Sequence, residues 1–327
     1  MTTLLITGVS SYWGQRVASA LAEQKGEDVR LVGLADKPPF ADIPGLEFIR
    51  GNLNTPLILD LLLAEKIETV LYLDPLSPSR GAGATTFLTL CAEAGVRRII
   101  LKSSTAVYGA SPNNPLYLSE THALDSKPHA TLHSLVELES YANGLTAQYP
   151  DLTVTVLRFA HILGPTAETP LAQFLLDDRA PTLLGFNPLF QLIHEDDVVA
   201  ALVHAALNDL PGIYNFAAED VLPLHKILAL AGKLPLPIAH PLAAQLPARL
   251  LPLPLEHLRY PCLANLTRMQ TEFGFTPART AEETITEFAT EVRRSRYMPD
   301  ALDAITNPLR NLAQRFTRSG DNDENNE

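Results

Sequence analysis

The chain has 327 residues, 46% of them hydrophobic and 19% charged, which is the composition of a folded globular protein and excludes wholesale disorder. Lys and Arg number 25 against 37 Asp and Glu, a net charge of -12 with an isoelectric point near 5.2, so a role tracking phosphate backbones is excluded as the first reading and no nucleic-acid partner is expected. Two cysteines, Cys91 and Cys262, cannot build a disulfide framework or a cysteine-based zinc site; both are expected to be free thiols in a reducing compartment, and no metal is expected.

The first residues carry no basic segment followed by a long apolar run, because Gly8, Ser10 and Ser11 interrupt it; this start reads as a strand rather than a leader. Strands are expected at Thr3–Thr7, Val29–Ala35, Leu46–Ile49, Thr69–Leu73, Arg98–Lys102 and Thr153–Phe159. Helices are expected at Gly14–Gln24, Leu57–Ala64, Thr85–Ala94 (stopped by Gly95) and Thr131–Gln148 (stopped near Pro150). Such alternation predicts an α/β fold: a Rossmann-type, doubly wound parallel sheet with helices on both faces. Beyond Gly164 the pattern loosens, and residues 235–261 hold seven of the 26 prolines, which forbids a long regular helix there. The expectation is a smaller, irregular C-terminal substrate lobe over the sheet's edge; an exposed Leu/Pro docking patch is the alternative. Helical periodicity returns at Thr280–Arg294. The tail from Ser319 to Glu327 carries Asp321, Asp323, Glu324 and Glu327 without a base and reads as solvated and disordered. The expected division is a dinucleotide-binding core over 1–164, a lobe over 165–296 with elements returning to the core near 190–218, and an extension over 297–327. No apolar run of about 18 residues exists, so no membrane span is expected, and the working localisation is cytoplasmic.

The first strand runs into Thr7-Gly8-Val9-Ser10-Ser11-Tyr12-Trp13-Gly14, followed by a helix. A glycine after the strand permits the tight turn, and a glycine at the helix start permits close packing; together they aim helix N–H groups at a pyrophosphate. The next strand ends in Asp36, a carboxylate that accepts both ribose hydroxyls of NAD and repels a 2′-phosphate, whereas the adjacent Lys37 works against that preference. NAD is therefore expected over NADP, with Gly8, Ser10, Ser11, Tyr12, Trp13, Gly14, Asp36, Asn52 and Leu73 as candidate contacts. Serine at the middle glycine position crowds the pyrophosphate, and a plain strand–helix turn without nucleotide is the competing reading.

In these segments the chain resembles the extended short-chain dehydrogenase/reductases, the NAD-dependent epimerase/dehydratase family. The resemblance covers about residues 3–290: the loop Gly8 to Gly14, Gly51-Asn52-Leu53, Ala94 to Arg98, Ser103-Ser104-Thr105-Ala106-Val107-Tyr108-Gly109, Leu157 to Pro165, His194 to Val198, Gly212 to Asn215 and Phe273 to Pro277. It implies an NAD-dependent enzyme on nucleotide sugars, in which a serine acts with a Tyr-x-x-x-Lys on a helix. The lysine lowers the phenol's pKa and holds the nicotinamide ribose, and the tyrosine exchanges a proton during hydride transfer. Ser104 matches the serine. In the register that needs no gap, however, Thr131 takes the tyrosine position and Leu135 the lysine position, with Ser134 before and Glu139 after. The usual proton relay is therefore expected to be missing. A second register places His129 and His133 in those slots, with Glu137 a turn beyond; the plainer reading makes both solvent-facing.

His161 stands where nucleotide-sugar members often carry Asn. Asp196 or Asp197 is expected as a helix N-cap and His194 as structural; Tyr108 borders the site in relatives or only packs. The resemblance also implies a homodimer through a four-helix bundle, here Thr85–Ala94 and Thr131–Gln148, with Val136, Leu138 and Leu145 as apolar surface. Three functions stand open: a dinucleotide-binding sensor, scaffold or assembly factor with a degenerate centre; an active epimerase, dehydratase or reductase using Ser104 with unusual acid–base groups; and a structural subunit without cofactor.

Overall fold

The computed structural model describes residues 2–54, 57–76, 81–129, 132–243, 245 and 252–297. Its strands are β1 (Thr2–Thr7), β2 (Val29–Ala35), β3 (Leu46–Arg50), β4 (Thr69–Tyr72), β5 (Arg98–Ser104), β6 (Thr153–Phe159), β7 (His161–Leu163), β8 (Arg179–Leu183), β9 (Leu189–His194), β10 (Gly212–Phe216), β11 (Val221–Pro223) and β12 (Leu234–Ile238). The helices are α1 (Tyr12–Gln24), α2 (Ile58–Ala64), α3 (Gly81–Glu93), α4 (His133–Gln148), α5 (Pro170–Phe174), α6 (Glu195–Leu207), α7 (Leu224–Leu230), α8 (His240–Ala243), α9 (Thr267–Thr271) and α10 (Ala281–Tyr297).

Seven strands form one parallel sheet in the order β10-β6-β5-β4-β1-β2-β3. The order reverses between β1 and β4, which opens a crevice at the C-terminal ends of these strands, where α/β sheets of this kind bind ligands. The expected doubly wound sheet is present. Alternation along the strands sends Ile99 and Leu101 of β5 to one face and Ile100 to the other. One face packs under α1 and α6 through Val17, Leu21, Val198 and Leu202; the other packs under α2, α3 and α4 through Leu62, Phe87 and Leu138. β10 adds a seventh strand beside β6 after the excursion through residues 160–211, within the span 190–218 where elements are expected to return to the core.

The C-terminal lobe is more ordered than its proline content suggests. β11, β9 and β7 form a three-stranded sheet, and β8 pairs in parallel with β12. β12 is Leu234-Pro235-Leu236-Pro237-Ile238, a two-stranded edge where proline's missing N–H is tolerated. A separate apolar cluster that includes Leu171, Leu192, Ile227, Leu258, Ile285 and Phe288 forms the lobe's core.

Several expectations change. Thr85 begins no helix; α3 starts at Gly81. Leu138 and Leu145 are 2% exposed and face the sheet, so they supply no dimer surface; Val136 is half-buried and Tyr141 exposed. Neither Asp196 nor Asp197 caps α6: His194 does, its Nδ1 accepting from Asp196 N at 3.1 Å. Asp197 instead accepts from Ala278 N at 2.8 Å and Arg279 N at 3.4 Å, tying α6 to the segment before α10. Both cysteines are free. Among the described residues, no helix is long and apolar enough to cross a membrane. Thr131 and the acidic tail lie outside the described residues.

Candidate functional site

Two cavities open at the C-terminal ends of the sheet strands. The first, of about 680 Å³, lies over β1, β2 and β4 and is lined by Gly8, Ser10 and Ser11, by Leu34 to Asp36, by Gly51 to Asn54, and by Tyr72, Asp74, Pro75, Gly83 and Ala84. Two glycines shape the turn beside it, Gly8 in the lining and Gly14 behind it. Gly8 has φ +60°, and a Cβ there would stand 2.8 Å from Asp74 Cα and 2.9 Å from Leu73 O. At Gly14 a Cβ would fall 2.1 Å from Gly8 O, so helix α1 can approach the turn only with glycine there.

Ser11, at the middle glycine position, is the N-cap of α1: its Oγ accepts from Gly14 N at 3.1 Å and donates to Leu73 O at 3.4 Å. The serine therefore turns its side chain into the helix start and the strand end, which explains how the loop keeps its turn without the third glycine. The remaining candidates separate. Gly8, Ser10, Ser11, Asp36 and Asn52 line the first cavity. Leu73 does not; it bonds Thr7 Oγ1 through its N–H at 3.1 Å and Ser11 through its carbonyl, and its neighbours Tyr72 and Asp74 form the wall. Asn52 also accepts from Asn54 N at 2.9 Å, closing a turn. Tyr12 points to the lobe, donating to Glu195 Oε2 at 2.7 Å and meeting Thr166 Oγ1 at 2.8 Å; burial pushes its hydroxyl up to about 12. Trp13 belongs to the second cavity.

That second cavity, of about 300 Å³, lies over β5 and β6. Lys102, Ser103 and Ser104 line it with Trp13, Leu132, His161, Glu168, His257 and residues of the Leu/Pro segment. Ser104 caps the turn that follows β5, its Oγ accepting from Ala106 N at 3.2 Å. Lys102 Nζ lies 4.9 Å from the centre of the Trp13 ring. The His161 and His257 rings meet edge to face at 5.8 Å. Burial, and then the neighbouring histidine, hold His161 down to about 3; burial, and then His129, hold His257 down to about 4, so both are neutral bases at pH 7. Burial draws Lys102 down to about 8.

Helix α4 meets the sheet through charge. Glu139 Oε2 accepts from Arg158 Nε at 2.9 Å and Nη2 at 2.6 Å, and Glu139 Oε1 accepts from the Ser103 hydroxyl. Arg158 Nη1 also donates to Tyr108 Oη at 2.8 Å, and Tyr108 donates to Asn215 Oδ1 at 2.7 Å. Tyr108 is thus committed to the core, and burial raises its pKa. Leu135, one turn before Glu139, is half-buried, while His129 and His133 are exposed; His133 pairs with Glu137 at 3.3 Å on the outer face.

Residues 4–217 match the profile of a family described as the NAD dependent epimerase/dehydratase family. The chain belongs to this family. Among its relatives is an uncharacterized protein of Mycobacterium tuberculosis, 27% identical over 312 residues, covering 87% of this chain and 82% of the relative. UDP-glucose 4-epimerase of Azospirillum brasilense is 23% identical over 217 residues, 59% of this chain and 60% of that enzyme. Among solved structures, MoeE5 in complex with UDP-glucuronic acid and NAD superposes with a TM-score of 0.69 at 22% identity, over 90% of this chain and 99% of that one. The dTDP-glucose 4,6-dehydratase of Bacillus anthracis in complex with NAD gives 0.70 at 16% identity, over 91% and 98%. At these identities the structures establish the fold.

Family membership throws the second cavity into relief. The sequence motifs point to Ser104 and His161, and not to Lys102 or His257. For Lys102 the signal was present: it stands two residues before Ser104 on a strand, and a period of two puts them on one face. His257 lies in the proline-rich segment, where no periodicity tells which way a side chain points.

Proposed function

We propose that this chain is an NAD-binding member of the epimerase/dehydratase family whose usual Tyr/Lys proton relay has been replaced, and that it acts as a sensor, scaffold or assembly factor. The observation that carries the reading is the buried Glu139–Arg158 pair, which supports the register placing Leu135 where the family's lysine stands. Leucine can neither hold a ribose hydroxyl nor stabilise a phenolate. For the cofactor, the first cavity supports NAD: its lining holds the phosphate loop and the Asp36 and Asp74 carboxylates and, among the described residues, no base for a 2′-phosphate. Gly8, Ser10, Ser11, Gly14, Asp36 and Asn52 would hold the adenosine and pyrophosphate, and the bound group would supply hydride exchange at its nicotinamide. Calorimetric titration with NAD(H) and NADP(H) tests this; tighter binding of NADP(H), or no binding of either, defeats it.

A second reading has an observation of its own. Ser104 shares its cavity with an amine and two neutral imidazoles. Such a set can transfer protons without a tyrosine, and it supports an active oxidoreductase, epimerase or dehydratase on a nucleotide sugar or related small molecule. Turnover of a sugar nucleotide that is abolished in Ser104→Ala separates the two.

A further inference from the structure

Lys102 is half-buried and lines the second cavity. With Ser104 it continues the face of β5 that carries Ile100. The groups around it are few. His161 and His257 are neutral at pH 7, and Glu168 is exposed. On the adjoining helix α1, Tyr12 packs edge-on against Trp13 at 4.8 Å, but its hydroxyl is engaged with Glu195 and Thr166; Arg16 is engaged with Glu195 and Asp196. Among the described residues, no carboxylate lies within ion-pair distance of the Lys102 ammonium, and burial alone perturbs it. The indole face beneath steadies a cation without neutralising it. A partly desolvated ammonium without a counter-ion is unfavourable, and an anion entering the cavity relieves that. Ser104 is a second donor at the same wall, because its Oγ uses only a lone pair on Ala106 N.

We infer that the second cavity recognises a ligand bearing a single carboxylate, paired with Lys102 and hydrogen-bonded by Ser104. Lys102 is the single cation of the described lining and the exposed Glu168 carboxylate lies outside ion-pair distance of it, so one negative charge on a ligand is matched, whereas a phosphate dianion would stay half-neutralised. The inference rests on the proposed assignment of the first cavity to the cofactor, which leaves the second for another ligand. It holds for a sensor and for an enzyme alike.

Trp13 is the single tryptophan of the chain, so its emission reports on this cavity. The test titrates the full-length protein with two matched pairs, D-glucuronate against D-glucose and UDP-glucuronic acid against UDP-glucose, with and without NAD. The carboxylate member of each pair is expected to bind about 10–150-fold more tightly, the range of a charged hydrogen bond. Lys102→Met should erase the difference and Lys102→Arg should retain part of it. The discrimination should also fade in the wild-type protein as pH rises past 8 and the amine loses its proton, which tests the inference even where the methionine variant does not fold. Equal response within each pair, no response to either carboxylate, or discrimination that survives Lys102→Met overturns it. Calorimetry with NAD runs in parallel. NAD binding without carboxylate discrimination defeats this inference alone, and discrimination without NAD binding defeats only the cofactor reading.

Discussion

Arg158 and Glu139 form a doubly hydrogen-bonded ion pair between β6 and α4, with side chains 2% and 1% exposed. The pair sits one helical turn from Leu135 and next in the chain to the Ser104 wall through Ser103, so the core network and the candidate site share a boundary. Removing one partner leaves the other charge buried. Arg158→Ala or Glu139→Ala alone is expected to lower the unfolding free energy by about 3–5 kcal/mol, and a Met/Met double replacement by much less than the sum. Urea denaturation measures this, and a single variant within about 0.5 kcal/mol of wild type refutes it.

Gly14→Ala is expected to push α1 away from the turn, since the new Cβ meets Gly8 O. Overpacking of this kind costs about 1–3 kcal/mol, and NAD affinity should fall along with stability. Ser11→Gly should do the opposite to the ligand: it removes a cap at a cost of a few tenths of a kcal/mol and opens the approach to the pyrophosphate. Calorimetry on both variants decides, and equal NAD affinity in Gly14→Ala counts against the loop's assignment.

On the proposed reading, in which general acid–base help worth about 10²–10⁴-fold is lost, wild-type protein should show near-background turnover with UDP-, GDP- and dTDP-sugars. Thr131→Tyr with Leu135→Lys should tighten NAD binding by about 10–150-fold through the regained charged contact. Chromatography of the sugar products is the readout. Robust wild-type turnover that is lost in Ser104→Ala moves the protein to the second reading, with the Lys102 and His257 side chains next to be replaced.

His257 couples stability to pH. Its folded pKa, about 4, lies below the ordinary value of 6.5, so the unfolded chain binds more protons between these values. Stability should therefore fall as pH drops from about 6.5 toward 4, by at most about 1.4 kcal/mol per pH unit for this group, and level off below. His161 adds a second contribution of the same sign. A His161→Phe/His257→Phe variant should unfold with a flatter pH dependence over this window; an unchanged slope in thermal melts at pH 4.5–6.5 refutes the assignment.

A homodimer through the outer faces of α3 and α4 is expected, resting on Val136 and Tyr141 rather than on Leu138 and Leu145. Tyr141 is 38% exposed and its hydroxyl meets Thr89 across the two helices. Tyr141→Asp should shift the assembly toward monomer in sedimentation at micromolar concentration. A wild-type protein that sediments only as monomer removes the expectation.

Much of this molecule follows from local sequence. Six of the seven sheet strands are legible as short runs bounded by turns, five of them because a buried parallel strand is apolar on both faces, while β3 lies at the sheet's edge with no fully buried residue. The loop from Gly8 to Gly14 is likewise legible, since both glycines answer to steric demands within a few residues of themselves. The proposed replacement of the Tyr/Lys pair rests on a local register too, the one that Ser134 and Glu139 suggest for Thr131 and Leu135. What the sequence could not decide is which distant side chains meet. Lys102 and Trp13 are 89 positions apart, and His161 and His257 are 96 apart, in segments whose packing no periodicity describes. The cavity that gathers them exists because β5 and β6 end side by side under a proline-rich segment. The neutrality of the imidazoles follows from that burial and then from a neighbouring histidine, and the drawn-down amine from burial, so the chemistry of this site belongs to the tertiary structure.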